Sequence, residues 1–206
     1  MFITFEGGEG SGKSVQSRRL YQHLMKEGFP ALLTHEPGGT PLGQAITRWL
    51  KWHLDSPISA ATETLLFNSS RSHLVSKVIK PAIEEGKVVI CDRYCDSTLV
   101  YQGYARGLDV QLIECINKIA TGGLKPNITF LLDIVPKNGL GRKSKTKADR
   151  FEREAASFHN KVRHGYLALA HAEPARWCIL NAARPRGEIA EVIWEKVSRS
   201  LRCRGA

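Results

Sequence analysis

A glycine-rich run near the start of the chain carries residue types that bind a chain of phosphates. Its residues are Gly7, Gly8, Glu9, Gly10, Ser11, Gly12, Lys13 and Ser14. The run fits G-x-x-x-x-G-K-[ST], in which glycines let backbone N–H groups and a helix N-terminus face phosphate oxygens. Lys13 would contact the β- and γ-phosphates, and the Ser14 hydroxyl would ligate Mg²⁺. The motif therefore predicts that the protein binds a nucleoside triphosphate.

Two other classes of nucleotide-binding protein are disfavoured by the elements that they would need. A GTPase reads its base with N-K-x-D, whereas Asn117-Lys118 is followed by Ile119 and Ala120 and lacks that carboxylate. An adenylate-type kinase would show D-G-F-P-R well downstream. The similar stretch 27–31 lies before the second predicted strand, and we interpret it as a helix stop.

A second block of polar residues follows a predicted strand that ends near Cys91. Arg93 lies just beyond the strand end, where a guanidinium can hold a phosphate group in a bidentate fork. Asp92 could hold Mg²⁺ through water, or it could form a structural ion pair with another arginine. Tyr101 lies in the same block, and a core position is the alternative to a binding role.

Phe67 and Arg71 are spaced by four residues in a predicted helix, so they lie on one helix face. A planar base can stack on Phe67 while Arg71 donates hydrogen bonds to carbonyl oxygens at the base edge. A core phenylalanine beside a surface arginine is the alternative. The pair thus suggests a base-binding face.

Strands that alternate with helices must position these groups. The predicted strands are 2–5, 31–34, 87–91, 127–134 and 177–180, and the predicted helices are 13–26, 42–52, 62–80, 94–105, 109–121, 149–172 and 188–201. Strands that are apolar on both faces predict an α/β fold whose parallel sheet lies between helices. Ligands bind beyond the carboxyl ends of such strands, where the polar blocks occur.

Composition fits one globular domain over residues 1–206. The chain has 206 residues, 42% of them hydrophobic, and a formal charge of +10, which attracts polyanions such as nucleotides or nucleic acid. No apolar run approaches the roughly 18 residues of a membrane helix, and no targeting segment is recognisable. The five cysteines are scattered, which favours reduced thiols and a cytoplasmic location.

The blocks, in this order, resemble thymidylate (dTMP) kinases over nearly the whole chain. Beyond the glycine-rich loop they are 36–43, 66–73, 92–103 and 133–152, and block 92–103 closely matches D-R-Y-x-x-S-x-x-A-Y-Q-G. The resemblance implies a three-layer P-loop NTPase fold with a five-stranded parallel sheet and a short basic LID. It also implies ATP and Mg²⁺ as cofactors, phosphorylation of dTMP to dTDP, a homodimer, and neither a nucleic-acid nor a membrane partner.

The resemblance also implies roles for individual residues. Arg93 would bind the acceptor phosphate, Tyr101 would lie under the sugar C2′, and Glu9 would meet the 3′-hydroxyl. Thr98 and Gln102 would line the base pocket. Pro37 resembles the family's cis-proline turn.

A stretch from 137 to 150 carries six positive charges against one aspartate, Asp149. The charges are those of Lys137, Arg142, Lys143, Lys145, Lys147 and Arg150. By default such a run is a solvated face, but phosphoryl transfer needs positive charge on the migrating group. In one subgroup of the family an arginine in the glycine-rich loop supplies that charge, and none is present here. Arg142 and Arg150 are therefore our candidate LID donors.

Three departures from the family pattern affect the acceptor site and the LID. His35 stands where an arginine is common, and Thr47 precedes Arg48 where the arginine would be expected one place earlier. Several LID arginines are replaced by lysines, which cannot form bidentate pairs. A kinase for another nucleotide or deoxynucleoside, or a P-loop protein that binds nucleic acid, remains the alternative function.

Overall fold

The computed structural model describes residues 1–52, 57–142 and 148–202. Within them, parallel strands form a single sheet in the order β2-β3-β1-β4-β5. The strands are β1 (Phe2–Glu6), β2 (Ala31–His35), β3 (Val88–Asp92), β4 (Ile128–Asp133) and β5 (Trp177–Asn181). The predicted five-stranded parallel sheet and its α/β class are confirmed.

Helices cover both faces of the sheet, so the central strand β1 is buried along its whole length. They are α1 (Lys13–Lys26), α2 (Pro41–Trp52), α3 (Ala60–Leu74), α4 (Lys80–Glu84), α5 (Cys95–Thr98), α6 (Val110–Thr121), α7 (Pro136–Gly141), α8 (Ala156–Ala172) and α9 (Arg186–Arg202). Two π-helical segments, Val75–Ile79 and Leu99–Ala105, continue α3 and α5. No helix among the described residues has the length and apolar character needed to span a lipid bilayer.

The core lies in layers on either side of the sheet. Ile3 and Phe5 point towards α1 and α9, where they pack with residues such as Leu24 and Ile193. Phe2 points the other way, into a cluster under α3 and the segment that follows it. This alternation along β1 is the period-two pattern of a strand buried on both faces.

The prediction of one helix over 149–172 is wrong at its start. Asp149 Oδ1 accepts the backbone N–H groups of Phe151 at 3.0 Å and Glu152 at 3.1 Å, which gives the chain a turn there. A side chain that captures backbone N–H groups competes with a helix, and α8 begins only at Ala156. Residues 149–155 therefore form turns that precede α8.

Candidate active site

The carboxyl ends of β1 and β3 border a cavity of about 980 Å³. It is lined by most of the residues that the sequence predicted for the site: Glu9, Gly10, Ser11, Gly12, Lys13, Ser14, Pro37, Phe67, Arg71, Asp92, Arg93, Thr98, Tyr101, Gln102 and Arg142. Gly7 and Gly8 belong to the same loop and face Lys13 through their carbonyl groups. Arg150 does not line the cavity.

The glycine-rich loop needs its glycines because other backbone lies against it. Gly10 has a φ of +67°, and a Cβ there would lie 1.9 Å from the carbonyl oxygen of Gly139 in α7. Lys13 Nζ spans the loop and donates to the carbonyls of Gly7 at 3.0 Å and Gly8 at 2.8 Å. Burial, reinforced by the nearby Arg93 guanidinium, lowers the pKa of Lys13 to about 8. An entering polyphosphate would favour the charged amine.

Arg93 lies between the glycine-rich loop and α8. Its φ of +69° turns the chain sharply after β3. Its Nη2 donates to Glu9 Oε1 at 2.6 Å and to the Tyr101 hydroxyl at 3.2 Å, and its Nη1 donates to the Gly7 carbonyl at 3.1 Å. The side chain is mostly buried yet lines the cavity. These contacts hold a positive charge next to the loop.

Ser14 and Asp92 form the candidate magnesium site. The Ser14 hydroxyl donates to Asp92 Oδ2, which places a hydroxyl and a carboxylate together at the start of α1. The described residues contain no cluster of three or more His, Cys, Asp and Glu suited to a metal. A pair of oxygen ligands fits Mg²⁺, which keeps several waters and is completed by substrate phosphates.

The two base-binding candidates differ in their surroundings. Phe67 is half-buried, and its ring centroid lies 5.8 Å from that of Phe151. Arg71 is only 2% exposed, so it is a buried residue and not a surface one. Its Nε donates to Glu36 Oε2 at 2.7 Å, and its other N–H groups meet Asn68, Asn117, the Tyr94 carbonyl and Glu36 again. A base can use Arg71 only by sharing or displacing one of these partners.

Tyr101 and Gln102 each contact a glutamate. The Tyr101 hydroxyl donates to Glu9 Oε1 at 3.1 Å, and burial raises the pKa of Tyr101. Gln102 Nε2 donates to Glu63 Oε1 at 2.6 Å. The peptide bond between Glu36 and Pro37 is cis, which confirms the predicted cis-proline.

Comparison with known proteins decides the family. The family model described as "Thymidylate kinase" matches residues 5–193. The chain belongs to the thymidylate kinase family. It is 53% identical over 204 residues to a thymidylate kinase of Dehalococcoides mccartyi strain BAV1, covering 99% of this chain and 98% of that protein. It is 48% identical over 208 residues to one of Symbiobacterium thermophilum, covering 100% and 97%.

A solved structure agrees with this assignment. The crystal structure of thymidylate kinase from Ehrlichia chaffeensis superposes with a TM-score of 0.76 at 33% identity, over 94% of this chain and 98% of that one. The family assignment therefore rests on sequence and on fold together.

In this member of the thymidylate kinase family, the two LID arginines point to different places. Arg142 lines the cavity and donates through Nη1 to the carbonyl of Ala182 at 3.0 Å. Arg150 Nη2 lies 3.8 Å from Glu63 Oε2, on the side of Gln102. Lys143, Lys145 and Lys147 lie outside the described residues. The geometry thus separates the two candidates.

The departures from the family pattern also take distinct positions. His35 and Thr47 line the cavity. Arg48 is exposed and does not line it. A shift of one residue turns a helical side chain by about 100°, which accounts for the difference.

Sequence reasoning missed the buried acidic residues that hold the site. Glu36 pairs with Arg71, Glu63 with Arg106, and Glu6 accepts the Tyr166 hydroxyl at 2.9 Å. Burial, with a further contribution from Asp96, raises the pKa of Glu6 to about 7 against the opposing effect of Arg93. Glu6 could have been noticed in the sequence, because it is a glutamate at the end of a largely apolar strand and directly precedes the glycine-rich loop.

Proposed function

We propose that the protein transfers the γ-phosphoryl group of ATP to dTMP and releases ADP and dTDP. The observation that carries this proposal is the approach of Lys13 and Arg93, which donate to the same Gly7 carbonyl at 3.0 and 3.1 Å. One cation belongs to a triphosphate-binding motif, and the other can hold a second phosphate beside it. The relatives named above are thymidylate kinases, and the match covers 98% and 97% of their length.

The reaction needs positioning and positive charge more than covalent chemistry. The acceptor phosphate on Arg93 presents an oxygen that attacks the γ-phosphorus in line with the departing ADP. Arg142, on the LID side of the cavity, would meet the charge on the equatorial oxygens. Glu9 and Tyr101, joined to Arg93, would face the deoxyribose.

Magnesium would be held by Ser14 and Asp92, with the remaining ligands from phosphates and water. When bound, Mg²⁺ would neutralise charge on the β- and γ-phosphates. In the chain itself, the contact between Ser14 and Asp92 keeps both oxygens at the start of α1.

A substrate panel tests this proposal against its nearest alternative. Release of ADP is measured with dTMP, dUMP, dCMP, dGMP and dAMP, and we expect kcat/KM to be highest for dTMP. A higher value for another monophosphate would assign a different nucleotide kinase. Binding of DNA with a steep salt dependence and no turnover of any monophosphate would favour a nucleic-acid-binding protein.

We further propose a homodimer. α3 packs against both α2 and α6, and these helices carry exposed apolar side chains, including Leu65, Leu112 and Ile119 at 55%, 55% and 82% exposure. Burial of such side chains between two copies would be favourable. Light scattering should give twice the mass of the chain, and Ile119→Asp should lower the measured mass.

A cytoplasmic location also stays a prediction.

A further inference from the structure

Glu6 lies beneath the acceptor side of the site, and the proposed reaction does not use it. It ends β1 and is 0% exposed. One carboxylate oxygen, Oε1, accepts the backbone N–H of Tyr94 at 2.8 Å. The other, Oε2, accepts the hydroxyl of Ser97 at 2.7 Å and that of Tyr166 at 2.9 Å. Burying a carboxylate that is held only by a backbone amide and hydroxyl groups costs folding free energy, which suggests that Glu6 has a functional role.

The same two hydroxyls also face Arg93. Arg93 Nη1 lies 3.3 Å from Ser97 Oγ and 3.1 Å from the Tyr166 hydroxyl oxygen. A guanidinium can only donate, and each hydroxyl has a single proton. Each hydroxyl can therefore accept from Arg93 only if its own proton points elsewhere. The two hydroxyls also lie 2.8 Å apart, so one proton can point from one hydroxyl to the other, and the carboxylate of Glu6 accepts what remains.

We propose that Glu6 is a positioning residue for Arg93. Its carboxylate, together with the hydrogen bond between the two hydroxyls, keeps the protons of Ser97 and Tyr166 turned away from Arg93, and the two hydroxyl oxygens then hold Nη1 of Arg93 in place. Arg93 can thus present its guanidinium to the acceptor phosphate without reorganising. This inference rests on the proposed function, because it needs Arg93 to bind that phosphate.

Tyr166 gives the arrangement a second consequence. It belongs to α8, the helix that follows the LID, whereas Ser97 belongs to α5 after β3. Glu6 therefore joins the helix behind the LID to the loop that carries Arg93. A change at Tyr166 should be felt at the acceptor phosphate even though Tyr166 contacts Arg93 and not the cavity.

Glu6→Gln is a sharp test because the amide can adopt only one favourable orientation. The backbone N–H of Tyr94 needs an acceptor, so the amide oxygen replaces Oε1. The amide NH₂ then replaces Oε2 and donates to Ser97 and Tyr166. The two hydroxyls can then share only one proton between them, so the other proton turns towards Arg93. This weakens the hold on Nη1 without changing the volume of the side chain.

The experiment compares Glu6→Gln, Tyr166→Phe and Asp96→Asn with the wild type. Asp96 is the control for buried charge: it acts on Glu6 only by raising its pKa, and its partner is Arg176, at 2.8 and 2.9 Å, and not Arg93. For each protein one measures kcat and KM for dTMP, the Kd of MgATP without dTMP, and thermal unfolding. Assays are run above pH 8, where Glu6 with its pKa of about 7 is ionised, and at a temperature where every protein is folded.

We expect Glu6→Gln to lower kcat/KM for dTMP about tenfold or more, with the Kd of MgATP within twofold of the wild type. Tyr166→Phe should give a smaller loss of the same kind, and the double variant should lose less than the product of the two. Asp96→Asn should lower thermal stability while kcat/KM for dTMP stays within twofold.

Two results would overturn the positioning role. One is a folded Glu6→Gln protein, or a folded Tyr166→Phe protein, with unchanged kcat/KM for dTMP. The other is a parallel loss of dTMP turnover and MgATP binding, which marks a structural effect. If Glu6→Gln does not fold, Tyr166→Phe decides alone. Wild-type protein that does not phosphorylate dTMP would instead refute the proposed function.

Discussion

Lys13 and Arg93 donate hydrogen bonds to one backbone oxygen, the carbonyl of Gly7, at 3.0 and 3.1 Å. Lys13 belongs to the phosphate-binding motif. Arg93 directly follows β3 and lies 80 positions later in the chain. Two cations that share an acceptor repel each other, and this contributes to the lowered pKa of Lys13. Phosphates that enter between them would relieve that repulsion.

The first prediction concerns proton uptake on binding ATP. The pKa of Lys13 is about 8 in the free protein, so the amine is partly neutral near pH 8, and the phosphates should raise that pKa. Binding of MgATP should then take up about half a proton at pH 8 and much less at pH 7. Calorimetry in buffers of different ionisation enthalpy measures this number. Equal uptake at both pH values would contradict the role of Lys13.

The second prediction separates the two LID arginines. Arg142→Ala should lower kcat by about 10³-fold with little change in KM for either nucleotide, as expected for a group that acts on the transition state. Arg150→Ala should affect kcat less, because Arg150 faces Glu63 and not the cavity. Steady-state kinetics of both variants provide the comparison. A larger loss of kcat for Arg150→Ala would reverse the assignment.

The third prediction uses the shifted arginine of α2. Thr47 lines the cavity, whereas Arg48 is exposed and does not. Thr47→Arg should therefore lower KM for dTMP by a factor that corresponds to at most about 1.5–3 kcal/mol of binding free energy, the range for a hydrogen bond to a charged group. Arg48→Ala should leave that KM unchanged. If Arg48→Ala alone raises KM for dTMP, Arg48 reaches the phosphate in the complex.

The fourth prediction concerns the contact between α7 and the glycine-rich loop. A Cβ on Gly139 would lie 2.3 Å from the carbonyl oxygen of Glu9, whereas a Cβ on Gly141 would meet no atom within 4 Å. Gly139→Ala should therefore displace the loop or α7 and weaken MgATP binding. Gly141→Ala, in the same helix, is the matched control and should bind MgATP normally. Equal affinities for the two variants would show that the loop can move at little cost.

The fifth prediction distinguishes binding from stability at the base site. Arg71→Ala removes the partner of buried Glu36, and the loss of one member of a buried ion pair costs about 3–5 kcal/mol of unfolding free energy. Phe67→Ala removes a half-buried ring, so it should raise KM for dTMP with a smaller loss of stability. Chemical denaturation and dTMP kinetics measure the two effects. A fully stable Arg71→Ala protein would contradict the buried-pair reading.

Much of the site could be predicted from sequence because its key parts are local. The conformation of the loop before Lys13 depends on neighbouring glycines, and the strand pattern is a period-two signal within a few residues. Parallel strands then bring their carboxyl ends together, which placed Arg93 and Asp92 near Lys13 and Ser14 without any knowledge of the contacts.

Other features depend on residues that are far apart in the chain, and no local pattern contains them. The spacing predicts that Arg71 binds a base, but it does not show that Glu36 and Asn117, 35 and 46 positions away, accept hydrogen bonds from the same guanidinium. Charge alone did not distinguish Arg142 from Arg150. Their side chains differ in direction because Arg142 contacts the carbonyl of Ala182, whereas Arg150 lies near Glu63.

The sequence by itself determined the fold class, the triphosphate motif and the family, since each is written in short runs of residue types. Tertiary structure alone decided which polar groups face the cavity and which satisfy one another inside the protein. The physical reason is that a buried donor or acceptor must find a partner, and the packing of distant elements determines which partner is within reach. Glu6 illustrates this, because its part in the site exists only where β1, α5 and α8 meet.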